Sequence, residues 1–555
     1  MATPSEPTRP VKAAGRPTIE DLIHGAEPRE PRPLGQAIDR LAQAGALVGA
    51  REGGRPIGPA AIGGILVRSV TADSRQVAPG ALFVAVLGQR HDGHAFLEEV
   101  AALGAAGAIV EEPLPTVALP QIVVPDSRRA LASAAAWWYG DPSHEIGVVG
   151  VTGTDGKTTT SLLAVAALEA AGMPTGLVAT VETKIGTSRE ANAEHATTPE
   201  APRLQATLRA MARAGDRAAV IETTSHGLAL DRVAEVAYDV AILTNLTHEH
   251  LEFHGSWEAY RDAKLSLFER LAASRSNPLK APLAWPKSAI VNADDPSAGL
   301  FAGAAQEAGA RVVTYGTDAA ADVRALRVSE DARALRIAYV APSGEARLEL
   351  RLSGRFNLYN ALAVVALGEA LDLDRSALRA GLEGVERIPG RMERITAGQP
   401  FEVVIDYAHS PAALEQVLEI LAPIAAARGG TLIAVFGSAG ERDTAKRPMM
   451  GRIAGERCRL VILTDEDPRG EDREAILDEI AAGAEAAGKQ RGHDLLLIAD
   501  RDEAIAAAFE RARPGDVVLL AGKGHEQSII GPDGPAPWDE RAVALAALRA
   551  PGYGT

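Results

Sequence analysis

The chain has little of what a disulfide-bonded, membrane-bound or nucleic-acid-binding protein needs. Cys458 is its single cysteine in 555 residues, so an intramolecular disulfide and a cage of thiolate metal ligands are both excluded. No apolar run approaches the ~20 residues that span a bilayer. Acidic residues outnumber basic ones by 73 to 57, and this net charge of −16 argues against a broad basic face. We therefore expect a cytoplasmic protein with no membrane span and no nucleic-acid partner.

The distribution of apolar residues predicts three globular domains behind a disordered tail. Few apolar side chains occur before residue 34, too few to offset the entropy of ordering that segment. Proline and glycine interrupt the chain near Gly140–His144 and again near Arg387–Arg391. The predicted boundaries are a tail at 1–34, an N-terminal domain at 35–141, a central domain at 142–386 and a C-terminal domain at 387–555.

Short apolar runs alternate with helix-like stretches along most of the chain. Continuous Val/Ile/Ala runs such as Ile146–Val151, Ala218–Ile221 and Val240–Leu243 are typical of strands buried on both faces. The same alternation resumes from Phe401 to Leu520, while Val323–Leu352 has the pattern of antiparallel hairpins. The predicted fold class is α/β, with largely parallel sheets.

A glycine-rich segment carries the sharpest local signal. Gly150-Val-Thr-Gly-Thr-Asp-Gly-Lys-Thr-Thr-Thr160 follows a predicted strand and precedes a predicted helix. Glycines allow backbone N–H groups to face phosphate oxygens at a helix N-terminus. Lys157 would reach the β- and γ-phosphates and the Thr158 hydroxyl would bind Mg²⁺. The alternative is a glycine-rich turn that binds nothing, because Val151 stands where the strict motif has its first glycine.

Two polar segments follow predicted strands, Glu222–His226 and Thr244–Gly255. Both are expected at the carboxyl edge of the sheet, where α/β folds bind ligands, so Glu222 and His250 could hold a cation there. Zinc on a cluster of His248, His250 and His254 is a rival interpretation, as is an unliganded polar edge, but oxygen-rich surroundings suit Mg²⁺ better. Lys264, taken alone, is typical of a solvated helix face.

Together these segments resemble the Mur ligases, which join amino acids to peptidoglycan precursors, and within that family the MurE type. The resemblance runs from about residue 66 to the C-terminus, with the motifs in family order. They are Asp73-Ser-Arg75, Pro79–Ala85, Gly88–His94, Gly153–Thr159, Thr197-Thr-Pro199, Glu222–His226, Asn245–His250, Lys264, Asn292–Pro296, Gly354–Asn357, Gly390–Glu393, Asp406–His409, Lys446–Pro448 and Gly522–Glu526.

The resemblance implies a three-domain architecture with a P-loop-type central parallel sheet and a Rossmann-like C-terminal domain. It implies ATP and Mg²⁺ as cofactors, a CO₂-derived carbamate on Lys264, and a monomer that acts on UDP-MurNAc-L-Ala-D-Glu and a diamino acid. The γ-phosphoryl group of ATP would pass to the D-Glu carboxylate, and the amine of the diamino acid would attack the acyl phosphate. Closure of the C-terminal domain would complete the site and exclude water.

The resemblance also assigns residues to these roles. The catalytic set is Lys157, Lys264, Glu222 and His250, and the metal set is Thr158, Glu222, His250 and carbamylated Lys264. The ATP-binding set is Gly153, Thr154, Asp155, Gly156, Lys157, Thr158, Thr159, Arg391 and Asp406. The set for UDP-MurNAc-dipeptide is Ser74, Gln89, Arg90, His91, Thr197, Thr198, Thr224 and Arg232. The amino-acid-binding set is Arg442, Glu466, Asp467, Pro468, Arg469, Gly522 and Glu526.

The identity of the added amino acid stays open at this stage. Ligases of meso-diaminopimelate typically carry Asp-Asn-Pro-Arg where this chain has Glu466-Asp-Pro-Arg469. The retained Arg469 favours an acceptor with a distal carboxylate. The added charge of Asp467 favours a side-chain ammonium instead, as in lysine or ornithine.

The sequence disfavours three other functions. A nucleotide-binding protein without catalysis would be expected to lack Lys157, Glu222, His250 or Lys264, and all four are present. A MurF-type ligase or a folylpolyglutamate synthase would not need the Asp73-Ser-Arg75 element. A P-loop transport or signalling NTPase would carry partner motifs that this sequence does not resemble.

Overall fold

The computed structural model describes residues 17–88, 91–192, 196–247, 251–272, 285–331, 334–352, 354–550 and 552–553, without the side chains of 251 and 252. These residues form two compact units. One runs up to Thr154 and includes 172–289 and 299–312, and the other comprises 155–171, 290–298 and 313–555. Within the described ranges, no helix combines the length and the apolar character needed to cross a membrane.

The chain is already ordered well before residue 34. Helix α1 (Ile19–Gly25) begins with a reciprocal capping box, in which Thr18 and Asp21 exchange hydrogen bonds of 3.0 Å. Ile19 and Ile23 are buried, because they lie four residues apart on one helix face. The predicted disordered tail is therefore wrong for residues 19–34, and residues 1–16 lie outside the described part.

The N-terminal elements form a six-stranded sheet of order β3-β2-β8-β7-β6-β5 and a short antiparallel pair, β1 with β4. Strands β5 to β8 run parallel, as predicted for buried apolar runs. The elements are β1 (Arg32–Pro33), α2 (Leu34–Gln43), β2 (Gly49–Glu52), β3 (Arg55–Ile57), α3 (Pro59–Ile62), β4 (Leu66–Val67), β5 (Ser69–Thr71), β6 (Ala81–Val84), α4 (Leu97–Ala102), β7 (Gly107–Val110), β8 (Gln121–Val123) and α5 (Ser127–Tyr139).

The next strands build the parallel region that carries the phosphate loop. Strands β10, β13, β9 and β14 lie parallel in that order, and β11 and β12 extend the β10 side antiparallel. The elements are β9 (Gly147–Thr152), α6 (Lys157–Ala170), β10 (Thr175–Val178), β11 (Glu182–Ile185), β12 (Ser188–Ala191), α7 (Ala201–Ala214), β13 (Ala218–Glu222), α8 (Ser225–Ala229), β14 (Val240–Leu243), α9 (Leu251–His254), α10 (Trp257–Glu269), β15 (Ser288–Asn292) and α11 (Ala298–Glu307).

The predicted hairpins are confirmed in the second unit, where β17, β18 and β19 are antiparallel neighbours. Along β18, buried residues alternate with exposed or half-buried ones, which fits a sheet with one face on the core. The elements are β16 (Arg311–Gly316), β17 (Val323–Glu330), β18 (Leu335–Ala341), β19 (Gly344–Leu350), α12 (Phe356–Ala370) and α13 (Arg375–Glu383).

The C-terminal sheet has the order β20-β21-β25-β22-β23-β24, parallel from β21 to β24. Apolar clusters cover both of its faces, which confirms the α/β prediction here. The elements are β20 (Glu393–Ile395), β21 (Glu402–Asp406), α14 (Pro411–Ala427), β22 (Leu432–Phe436), α15 (Lys446–Arg457), β23 (Leu460–Leu463), α16 (Arg473–Ala486), β24 (Leu495–Leu497), α17 (Arg501–Arg511), β25 (Val517–Ala521), β26 (Ser528–Gly531), β27 (Gly534–Pro537) and α18 (Glu540–Arg549).

Cys458 lies in the core of this C-terminal sheet. The thiol is buried, and burial raises its pKa to about 12. The thiolate is therefore scarce at neutral pH, so this residue is a small core side chain and not a nucleophile.

Candidate active site

The predicted phosphate loop, residues 153–156, connects β9 to α6. Gly153 and Gly156 have φ values of +145° and +80°, conformations that side-chain-bearing residues rarely adopt. Helix α6 begins at Lys157, directly after Gly156. The first N–H groups of a helix lack partners within that helix, and the helix dipole favours an anion there. The strand, loop and helix thus stand in the predicted order.

Gly153 leaves no room for a side chain. A Cβ atom there would overlap the Thr244 hydroxyl and lie 2.9 Å from the carbonyl oxygen of Asn245. We expect Gly153→Ala to lower the free energy of unfolding by about 3 kcal/mol, from overpacking and the positive φ together. Thermal unfolding measures this loss. The control is Gly172→Ala, because Gly172 also has a positive φ but nothing within 4 Å of its Cβ position. Equal losses in both variants would contradict the steric account.

Lys264 lies against the phosphate loop instead of facing solvent. Its amine donates a 2.7 Å hydrogen bond to the carbonyl oxygen of Gly153 and sits 4.6 Å from the centre of the Tyr260 ring. The Tyr260 hydroxyl is 2.9 Å from that of Thr154, which accepts a hydrogen bond from the N–H of Thr247. Only 2% of Lys264 is exposed. Helix α10 thus brings a buried amine to the loop, which excludes the solvated-surface interpretation.

A second set of contacts holds the start of α6. These contacts lie within the unit that contains both α6 and α12. The Thr160 hydroxyl donates to Oδ1 of Asn360 (3.1 Å), and Nδ2 of Asn360 donates to Asn357 (2.9 Å). The Asn360 side chain also fills the space where a Cβ atom of Gly156 would lie. Helix α12 therefore supports the loop through an amide pair at i,i+3 spacing.

Glu222 ends β13 at the same edge of the sheet as the phosphate loop. It pairs in register with Val151, one residue before the end of β9. Its two carboxylate oxygens accept the backbone N–H of Thr180 (3.1 Å) and the Thr180 hydroxyl (2.9 Å). The residue is fully buried. The predicted carboxylate is thus at the carboxyl edge of the sheet and held in one orientation.

The histidine cluster is described only in part. His248 and His250 lie outside the described residues. The His254 ring lies 5.5 Å from that of His226 and 5.4 Å from that of Tyr260. Within the described residues, no group of three or more His, Cys, Asp or Glu side chains is placed to hold a metal ion.

Four residues of the predicted dipeptide-binding set meet in one hydrogen-bond network. The Thr198 hydroxyl donates to the backbone carbonyl of Glu222 (2.8 Å) and lies 3.0 Å from the hydroxyl of Thr224. Arg232 donates to the carbonyl of Thr198 (2.9 Å). Thr197 joins through its hydroxyl, which is 2.9 Å from that of Thr180, the residue that holds the Glu222 carboxylate.

The predicted UDP-binding residues lie on loops of the N-terminal sheet. Ser74 starts a short 3₁₀ turn capped by Asp73, whose carboxylate also binds the Arg75 guanidinium at 2.7 Å. His91 is exposed, and its carbonyl accepts the N–H of Gly88 at 3.0 Å. Gln89 and Arg90 lie outside the described residues.

The Asp-Gly-His element beside them has an evident structural role. Nε2 of His94 accepts the backbone N–H of Glu111 (3.0 Å), so the ring proton lies on Nδ1 and is donated to Asp92 (2.7 Å). Asp92 in turn caps the 3₁₀ turn that holds His94. The imidazole therefore joins two loops of the N-terminal sheet.

Arg391 and Asp406 come together in the second unit. The Arg391 guanidinium lies 5.0 Å from the centre of the Tyr407 ring. Asp406 accepts the N–H groups of Met392 (2.8 Å) and Ala408 (2.9 Å). Burial raises the pKa of the Asp406 carboxyl, while the charge of Arg391 and these two hydrogen bonds oppose that rise.

Asp467 is bound by a lysine of its own chain. Its Oδ1 accepts the Lys523 amine at 2.8 Å and the backbone N–H of Ile530 at 2.9 Å. The same amine lies 2.6 Å from Glu526, whose other oxygen accepts the Tyr407 hydroxyl at 3.2 Å. Two predicted amino-acid-binding carboxylates are thus joined through one buried ammonium.

The remaining members of the amino-acid-binding set differ in their exposure and in their partners. Oε2 of Glu466 and Nε of Arg469 are both buried without a hydrogen-bond partner among the described residues. Gly522, at φ +99°, leaves room beside Glu466, since a Cβ atom there would lie 3.5 Å from Oε2. Pro468 is buried and Arg442 is exposed. One unpartnered carboxylate oxygen and one unpartnered guanidinium nitrogen carry charges opposite to those of an amino acid's ammonium and carboxylate.

Sequence reasoning missed three supporting residues. Tyr260 lies four residues before Lys264, so helical spacing alone could have placed both on one face. Asn360 follows the recognised Asn357 at i+3. Lys523 is different, because it lies inside a quoted motif but a glycine-flanked lysine gives no sign of its partner.

Comparison with known families covers most of the chain. The Mur ligase family catalytic domain matches residues 66–139, the Mur ligase middle domain matches 151–368, and the glutamate ligase domain of Mur ligases matches 390–524. The three matches follow one another in the order implied by the sequence motifs.

Individual relatives agree with these matches over nearly their whole length. A UDP-N-acetylmuramyl-tripeptide synthetase of Roseiflexus is 52% identical over 494 residues, covering 88% of this chain and 96% of the relative. A UDP-N-acetylmuramoyl-L-alanyl-D-glutamate–2,6-diaminopimelate ligase of Geobacter metallireducens is 41% identical, covering 89% and 97%. A solved structure of a ligase with that same name matches at TM-score 0.60 and 30% identity, covering 88% of this chain and 95% of that one.

Proposed function

The chain belongs to the Mur ligase family, and from that premise we propose that it is an ATP-dependent, ADP-forming ligase of peptidoglycan precursor synthesis. It joins the D-Glu carboxylate of UDP-MurNAc-L-Ala-D-Glu to the amine of a diamino acid. The observation that carries the choice of acceptor is the pair of buried atoms, Oε2 of Glu466 and Nε of Arg469, that have no hydrogen-bond partner in the described part of the chain. An ammonium and a carboxylate of one amino acid match these two charges.

The first step moves the γ-phosphoryl group of ATP to the D-Glu carboxylate, and ADP leaves. The N–H groups of the phosphate loop and the Lys157 ammonium stabilise charge on the phosphoryl oxygens. Thr197, Thr198, Thr224 and Arg232 hold the dipeptide end, and Arg391 and Asp406 contact the nucleotide. The N–H of Thr247 donates to the Thr154 hydroxyl and the Asn360 side chain packs against Gly156, so contacts from outside the loop hold both of these loop residues.

In the second step, the amine of the diamino acid attacks the acyl phosphate. The amine nitrogen adds to the acyl carbon, and the tetrahedral intermediate collapses to amide and phosphate as the C–O bond breaks. The proton lost by the amine passes to the departing phosphate or to solvent. Positioning of the two reactants supplies much of the acceleration. Glu466 and Glu526 orient ammonium groups of the acceptor, and Arg469 binds a carboxylate.

The donor atoms present fit a hard divalent cation. The Thr158 hydroxyl and the buried Glu222 carboxylate offer oxygen ligands, and His250 and carbamylated Lys264 complete the proposed Mg²⁺ set. Mg²⁺ supplies neutralising charge for the phosphoryl oxygens when bound. A carbamate on Lys264 converts a cation into a carboxylate at the loop. We place the enzyme in the cytoplasm, where ATP and UDP-linked precursors are found, and propose that it acts as a monomer.

Phosphate release tests the proposal. Folded protein with ATP, Mg²⁺, bicarbonate and UDP-MurNAc-L-Ala-D-Glu receives meso-diaminopimelate, L-lysine or L-ornithine in separate reactions. We expect release that depends on both the UDP-dipeptide and at least one of these acceptors. Parallel reactions contain the UDP-tripeptide with D-Ala-D-Ala, or a folate with glutamate. No release with any of the three diamino acids, or faster release in the parallel reactions, would contradict the proposal.

A further inference from the structure

Lys523 is a buried cation that contacts two carboxylates of the predicted amino-acid-binding set. Its side chain is fully buried, and its amine binds Asp467 at 2.8 Å and Glu526 at 2.6 Å. The N–H of Ile530 completes the environment of Asp467 Oδ1. Since Lys523 has no exposed surface, it acts on a bound acceptor only through these two carboxylates.

This contact changes the expected effect of having Asp467 where ligases of meso-diaminopimelate typically have asparagine. From the sequence alone, an aspartate in place of asparagine adds one negative charge beside the acceptor. In the structure, the ammonium of Lys523 lies between Asp467 and Glu526 and compensates part of that charge. Charges interact strongly at short distance in a buried site, and removing one partner leaves the other uncompensated.

We propose that Lys523 is a positioning residue that sets the acceptor preference of the ligase by compensating Asp467, an inference that rests on the proposed function. With Lys523 in place, Asp467 is held toward Ile530 and its attraction for an acceptor ammonium is weakened. Without Lys523, the full charge of Asp467 acts on the acceptor. That charge attracts a side-chain ammonium and repels a distal carboxylate.

Competition between two acceptors tests the proposal directly. Equimolar L-lysine and meso-diaminopimelate compete in one reaction, and mass spectrometry of the products gives the ratio of their kcat/KM values. We expect Lys523→Met to raise the lysine-to-diaminopimelate ratio about tenfold, which corresponds to ~1.4 kcal/mol. Asp467→Asn added to Lys523→Met is expected to reverse most of that change. Lys523→Arg keeps the charge and is expected to keep the ratio near that of the wild type.

A matched control separates selectivity from stability. Lys287 also binds a buried aspartate, Asp239, at 2.8 Å, in a region remote in sequence from the acceptor motifs. Lys287→Met is expected to lower the melting temperature without moving the acceptor ratio. If Lys523→Met does not fold, Lys523→Gln provides a neutral side chain that still donates hydrogen bonds, and the same direction of change is expected.

The outcomes distinguish two failures. A wild-type protein that turns over none of the acceptors overturns the proposed function. A wild-type protein that is active, with a folded Lys523 variant whose ratio stays within about threefold of it, overturns the role of Lys523. So does a ratio change that Asp467→Asn does not reverse.

Discussion

Lys157→Met is expected to lower kcat for ADP formation by about 10²- to 10³-fold. Lys157 is the first residue of α6 and directly follows the glycine loop. Its ammonium is the only side-chain cation in the segment 150–160. Removing one preorganised group that stabilises transition-state charge typically costs this much. The effect falls on kcat because that charge develops during phosphoryl transfer.

Single-turnover formation of ADP, with enzyme in excess over ATP, measures this effect. Lys489→Met is the control, because it removes a lysine of the C-terminal sheet region, where its amine lies 3.4 Å from Asp494. Its rate is expected to match the wild type. A Lys157→Met rate within about threefold of the wild type would remove this residue from the chemistry.

Lys264→Met is expected to lower kcat by about 10- to 100-fold, the range typical of groups that support a metal site. Methionine fills a similar buried volume, so the change removes the amine at the Gly153 carbonyl with little repacking. The proposed carbamate predicts a second property. Removal of CO₂ and bicarbonate should lower the activity of the wild type and leave the residual activity of Lys264→Met unchanged.

Carbon-13 NMR provides a direct check on the carbamate. Protein equilibrated with ¹³C-bicarbonate is expected to show a carbamate resonance that disappears in Lys264→Met. Lys184→Met is the control, since Lys184 is also buried but binds the carbonyls of Thr175 and Gly186 at 2.6 Å. A resonance that survives in Lys264→Met, or wild-type activity indifferent to CO₂, would contradict carbamylation at this residue.

Much of the fold follows from local patterns in the sequence. Runs such as Val240–Leu243 and Val517–Ala521 are continuous and apolar, and they form buried parallel strands because both faces are covered. Helix α1 was not predicted, because two isoleucines in a segment with few apolar residues are too weak a pattern to indicate a buried helix. Its burial depends on Ile19 and Ile23 meeting an apolar surface elsewhere in the unit, and periodicity in a short segment does not reveal that surface.

The site residues likewise fall into two kinds. Some are predictable from neighbouring residues in the sequence, and others depend on contacts that form only in the folded chain. The phosphate loop is predictable because its glycines, Lys157 and Thr158 are contiguous in sequence. The pairing of Asp467 with Lys523 joins residues 56 positions apart, so no local pattern contains it. The sequence therefore predicted an added negative charge, whereas the folded chain supplies the compensating cation.

The identity of the product tests the central claim most directly. Wild-type protein with ATP, Mg²⁺, bicarbonate, UDP-MurNAc-L-Ala-D-Glu and each diamino acid in turn is analysed by mass spectrometry, with ADP quantified in the same samples. The account predicts a UDP-linked product whose mass equals the UDP-dipeptide plus the diamino acid minus one water, formed in equal amount to ADP. ADP without that product, or an unchanged UDP-dipeptide with every acceptor, would contradict it.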